Sequence, residues 1–260
     1  MANTNNLQTY QGVTIITLLL SIYSCTHYSY HHKHPDNPFT ANYWMLFAYW
    51  AFFYVKQIIY ITYTFISNEE TATSILESGW HLPIFNTLIF IWSELLIGKH
   101  YFWSELFLIA NLVNVSYLYT KHKSYSIRPF VRFVIIHAPT AALPISWLIY
   151  AIFWNGALLF HVKEMLWARI LANIFIWAFL GIGILWLYWF NDFAVGFSLA
   201  YLMFSLMVGQ LTIRVFALQW IFALSIGSLL TIFSFGALLG FLRETPQRST
   251  EAAPLLQGQA

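Results

Sequence analysis

Apolar runs dominate this chain and decide what it can fold into: 11–30, 43–66, 82–97, 101–119, 132–154, 168–190, 193–210 and 216–241, separated by short polar connections. Hydrocarbon offers no partner to a backbone N–H or C=O. A single segment crosses it only as a helix, and about 20 apolar residues reach across. The charge content agrees. Only 8% of the residues are charged, against about 25% in an ordinary soluble domain, so lipid must cover most of the surface. The expected architecture is all-α: a polytopic transmembrane helix bundle over residues 1–242 with eight spans, or seven if the short run 82–97 is re-entrant. Residues 243–260 turn polar, small and proline-containing and are expected to form a disordered cytosolic tail.

The start of the chain has no basic region and no small-residue cleavage site before the first run, so the first span is expected to stay as an anchor. Orientation follows lysine and arginine in short loops. The dense cluster Lys121, Lys123, Arg128 and Arg132 places the fourth loop, and with it both termini, in the cytosol. Tyr43, Trp44, Tyr101, Trp103, Trp167, Tyr188 and Trp189 stand near run ends, where the headgroup layer suits them. Apolar character continues through Pro139 and Pro144, which predicts a kink there. Gly236 and Gly240 form a GxxxG that suits close helix packing, chiefly within the bundle. The net charge of +2 suggests no nucleic-acid partner. The single cysteine, Cys25, excludes an internal disulfide.

Polar groups inside hydrocarbon are the usual pointer to function, since a charge at the centre of a span costs about 2.5–3.5 kcal/mol on insertion scales. The candidates are Lys56, Glu94, Glu105, Asn155, Arg169, Asn173 and Gln210. Glu94 and Glu105 flank the tight connection Gly98-Lys99-His100 and could share a cation or proton. The alternative is two interfacial carboxylates neutralised by Lys99 or water. Interhelical hydrogen bonding accounts for the amides Asn111, Asn114, Asn155, Asn173, Gln210 and Gln219 as well as a ligand does. His27, His31 and His32 have the HxxxHH spacing of di-iron oxygenases, but no second box follows, and solvated imidazoles in a lumenal loop are the expectation. No catalytic, cofactor or metal motif is found, so no enzyme activity, cofactor or metal is expected. In the tail, Glu251 precedes Leu255-Leu256 at the spacing of an acidic dileucine signal, which sorting adaptors capture as an extended peptide.

Four stretches carry a resemblance: Tyr101-Phe-Trp-Ser-Glu-Leu-Phe-Leu-Ile-Ala-Asn111-Leu-Val-Asn114, Phe153-Trp-Asn-Gly-Ala157, Ala168-Arg-Ile-Leu-Ala-Asn-Ile-Phe-Ile-Trp177 and Ala217-Leu-Gln-Trp-Ile-Phe-Ala223. With the tail Ala253-Pro-Leu-Leu256, they resemble the fungal multi-spanning family catalogued as domain of unknown function 1774, in the same order from about residue 10 to 256. The resemblance implies a fungal endomembrane protein, with the vacuolar membrane as its location, and brings no activity and no catalytic residues. The lipid bilayer is then the first partner, with sorting adaptors at the tail. Two further functions stay open: a small transporter or channel for an ion or solute, and a structural or scaffold membrane protein. A pocket lined by Lys56, or by Asn155, Asn173 and Gln210, would favour transport; a filled bundle would favour the scaffold.

Overall fold

A computed structural model describes residues 2–31, 37–66, 79–162, 166–213 and 218–251, the backbone alone for 2–5, 30–31 and 244–251. Among the described residues every regular element is helical. The order is α1 (Ala2–His31), α2 (Tyr43–Ile66), α3 (His81–Ile97), α4 (Tyr101–His122), α5 (Phe130–Leu159), α6 (Leu166–Phe190), α7 (Phe193–Ile213) and α8 (Gln219–Glu251). Each expected run coincides with one helix, the last from Gln219 onward. Five helices are long and apolar enough to cross a membrane: α2, α5, α6, α7 and the part of α8 from Gln219 to Arg243. The apolar helix α3 is shorter, at 17 residues.

Burial sets the hierarchy. Of the most apolar stretch of each helix, 83% is buried in α5 and 61% in α7, against 28% in α2, α6 and α8. The fifth helix is therefore the central post, and the outer helices present one face to the bundle and the other outward, α8 packing chiefly on α7. Tyr10 packs against Trp80, His81 against His122, and Arg128 over Phe241. These contacts gather the first half of α1, the starts of α3 and α5, and the ends of α4 and α8 at one end of the bundle. Asn155 bonds Tyr101 and Asn37 bonds the Trp154 carbonyl at the other.

Three features go beyond the expectation. Around Pro139 the fifth helix is irregular but continuous: Phe133–Ala142 is wound as π-helix, and Pro144 sits in the first turn of the α-helix that follows. Wider hydrogen-bond spacing absorbs the missing proline donor, and a first-turn proline loses nothing. The GxxxG pair does not mediate packing. A Cβ at Gly236 would meet nothing within 4 Å, and one at Gly240 only Asn191 at 3.9 Å. The close approaches lie at Gly183, Gly196 and Gly227 instead. A Cβ at Gly196 would run into Ser234 of α8, and one at Gly183 would sit 2.5 Å from Leu230. Finally, α8 continues past residue 243 to Glu251, so the tail begins as helix; extending a nucleated helix is far easier than starting one.

The connection before α2 folds into the bundle. Asn37, Phe39, Thr40 and Ala41 are buried, and their backbone polar groups need partners there. Gln210 on α7 supplies two, donating to the Asn37 and Thr40 carbonyls at 2.9 Å each. Tyr150 on α5 donates to the Phe39 carbonyl at 2.5 Å, and the Asn42 amide donates to Ser205 at 2.8 Å. Gly209 lets the loop lie directly on α7, since a Cβ there would stand 2.6 Å from backbone atoms of Thr40 and Ala41.

Candidate functional site

A cavity of about 460 Å³ opens in the half of the bundle that holds this buried loop. Its wall is built from the last part of α1 (Ile22, Cys25, Ser29), the first half of α2 (Leu46, Trp50, Tyr54), Trp92 and Ser93 of α3, and Trp147, Tyr150 and Trp154 of α5. The geometry follows from how α1 and α2 meet. Tyr10 and Tyr60 share a hydrogen bond of 2.9 Å, Gln11 reaches Thr64 at 3.2 Å, and Ser21 meets Tyr54 at 3.1 Å. Beyond Ser21 the two helices are parted by the cavity. Its exposed lining residues, Thr26 and Ser29 on α1 and Phe47 and Ala51 on α2, mark the mouth between them, on the side of the bundle rather than at its end.

The chemistry of the wall is uniform. Trp147 is the centre of an aromatic cluster, with ring centroids 4.7 Å from Trp50 and 6.2 Å from Trp92. Among the described residues no Lys, Arg, His, Asp or Glu borders the space. The indole N–H groups of Trp92 and Trp147 are buried and have no hydrogen-bond partner. The hydroxyls of Thr26, Ser29 and Ser93 donate to carbonyls of their own helices at 2.8–3.1 Å, which leaves their oxygens able to accept.

The polar residues singled out in the sequence do not line this space, and among the described residues only Glu105 and Asn155 of the seven candidates meet one another. Lys56 lies half-buried on α2 with its ammonium 5.4 Å from the centroid of Phe52, and among the described residues no carboxylate pairs with it. Glu94 and Glu105 part company: Glu94 lies 3.6 Å from His27 of α1, while Glu105 accepts from Asn155 of α5 at 2.7 Å. The shared carboxylate site is thus replaced by two separate interhelical contacts, since each side chain finds a partner on a different helix. Asn155 also accepts from Ser104 at 2.9 Å. Asn173 accepts from Gln219 at 3.2 Å, Asn111 donates to the Phe85 carbonyl and Asn114 pairs with His81. Arg169 stands on α6, half-buried, away from the cavity wall. Leu255 and Leu256, with His32 and His34, lie outside the described residues, and of Glu251 and His31 only the backbone is described.

One cluster escaped the sequence reading. At the opposite end of the bundle His137, in the π-wound stretch of α5, lies between Asp192 and Ser124. Its Nε2 is 2.7 Å from Asp192 Oδ2 and its Nδ1 3.0 Å from Ser124 Oγ. Tyr119 donates to the same carboxylate oxygen, while Oδ1 accepts from the amides of Ala194 and Val195 and caps α7. Asp192 stands in the connection between α6 and α7. Burial alone would push its carboxyl up, but His137, Tyr119 and the Val195 amide outweigh burial and hold it below the ordinary aspartate value. All four side chains are buried. Ser124, His137 and Asp192 have the residue types of a hydrolytic triad, but the cluster serves as a clasp that joins α4, α5, α6 and α7. The available signal was a histidine in an apolar run and an aspartate at a helix start.

Residues 169–256 match the family described as a fungal protein of unknown function, domain of unknown function 1774. Over 256 residues the chain is 28% identical to an uncharacterised protein of Schizosaccharomyces pombe, a match that covers 95% of this chain and 91% of that one. No solved structure matches it.

Proposed function

We propose that this is a multi-spanning protein of a fungal endomembrane, the vacuolar membrane by its tail signal, whose bundle binds and braces rather than conducts ions or polar solutes. One observation carries the reading. The three amides that would mark a conduction path are engaged by neighbours: Asn155 by Ser104 and Glu105, Asn173 by Gln219, Gln210 by the buried loop. None of them borders the cavity, nor does Lys56. A path for polar solutes requires such groups to face a wet lumen; here they join helices to one another. The aromatic wall suits an apolar guest.

The test is flux. The purified full chain in liposomes is expected to add no leak for protons, potassium or a small neutral sugar above empty vesicles at equal lipid. A protein-dependent leak that Asn155→Ala or Lys56→Met abolishes would replace this reading with the transporter.

A further inference from the structure

We propose that the aromatic cavity between α1 and α2 is a binding site for a neutral lipid whose polar end is a single hydroxyl, of the sterol class, which enters sideways from one leaflet.

The position of the mouth decides the route. A site reached from water opens at the end of a bundle. This one opens between α1 and α2, flanked by Phe47, which is 56% exposed, and by Ala51. Those residues belong to the outward face of a helix that the surrounding medium must cover, and for α2 that medium is lipid. The lining comes from the same end of each helix, within a few turns of the buried loop and of the Gly98-Lys99-His100 connection. Entry is therefore confined to one leaflet.

Charge selects the occupant. An anionic or zwitterionic headgroup needs cations or a fan of donors, and a buried charge without them is costly. Among the described residues the wall has no carboxylate, amine, guanidine or imidazole. What it has are hydroxyl oxygens with acceptor capacity at Thr26 and Ser29, near the mouth, and at Ser93. An alcohol can donate to them. A phosphate would only accept. Size points the same way: about 460 Å³ lies in the lower part of the range of about 300–1,000 Å³ for sites that take one compact ligand, which suits a single rigid body better than two acyl chains. The rings of Trp50, Trp147 and Tyr150 offer flat apolar faces for such a body.

A photoreactive sterol with its hydroxyl free, added to the full chain in nanodiscs, tests the site. Labelling is expected to saturate, to be competed by unlabelled ergosterol, and to map to peptides from 22–29, 43–54 and 147–154. Ala51→Trp, which fills the mouth, is expected to weaken it about tenfold. Thr26→Val with Ser29→Ala, two small changes on an exposed face, should weaken it less while leaving the thermal transition unchanged, which guards against misfolding of the tryptophan variant. Labelling that does not saturate, that maps elsewhere, or that survives all three substitutions overturns the proposal. So does equal labelling by a photoreactive phosphatidylcholine or fatty acid, which would show a non-selective lipid groove. A conducting protein that still labels in this pattern would refute the flux reading and leave the lipid site standing.

Discussion

Asp192 concentrates more of this structure than any other single side chain. One carboxylate oxygen takes His137 and Tyr119, and the other caps the helix that follows. Its proton affinity is lowered in the folded protein, so as acid is added the unfolded chain takes up the proton first. The stabilisation is then fully present above the ordinary aspartate pKa of about 3.9 and is lost as pH falls through the lower folded value. Thermal midpoints of detergent-solubilised protein, followed from pH 7 down to about pH 3, are expected to drop on the acid side more in the wild type than in Asp192→Asn. Parallel acid limbs would show that another group governs the loss. At neutral pH Asp192→Ala should cost about 1–3 kcal/mol, because the buried His137 and Tyr119 side chains lose their hydrogen-bond partner.

At the scale of elements, existence was legible and faces were not. Each apolar run coincides with a helix within a few residues at its ends, and five of these helices are long and apolar enough to cross a membrane. What a run does not disclose is which of its sides meets protein. The Gly236/Gly240 pair has the right spacing and faces away from the bundle, while the glycines that do admit a neighbour, Gly196 and Gly227, belong to no motif. The buried loop 37–42 was equally hidden, because its partners Gln210 and Tyr150 are over 100 residues away in sequence. Likewise the cavity is assembled from four helices and has no local signature. Gly209 and Gly236 put the distinction to a test. Gly209→Ala drives a methyl into the backbone of Thr40, Ala41 and Asn42 and is expected to destabilise by about 1–3 kcal/mol. Gly236→Ala meets open space and should be neutral or stabilising by up to about 1 kcal/mol through helix propensity. Unfolding midpoints of the two variants, read side by side, should move in opposite directions; equal losses would mean that the outward face of α8 is packed against something.

For the whole molecule, the location rests on the tail. The proposed orientation leaves Glu251, Leu255 and Leu256 in the cytosol, where an adaptor reaches them. Replacing both leucines with alanine is expected to move a fluorescent fusion of the full chain from the vacuolar rim toward the cell surface or Golgi. Unchanged images would reject the signal; glycosylation of a sequon appended at the C-terminus would reverse the orientation and remove the signal with it. Composition alone disclosed the membrane class, since 59% hydrophobic residues leave too little polar surface to face water. It could not disclose a binding function, which depends on where two helices part.

The central place of the fifth helix also has a meaning in time. A ribosome releases the chain from its N-terminus, so four helices are made before their common support exists. Until Asn155 arrives, Ser104 and Glu105 wait in α4 without the amide that later joins them. Tyr49 likewise waits for the carbonyl of Leu143, and the loop at Phe39 for Tyr150. A nascent chain halted before Phe130 therefore holds a half-built bundle with polar groups facing lipid, the form that membrane quality control retains and degrades. Arrival of the post closes these contacts together, which makes synthesis of residues 130–159 the commitment point of assembly.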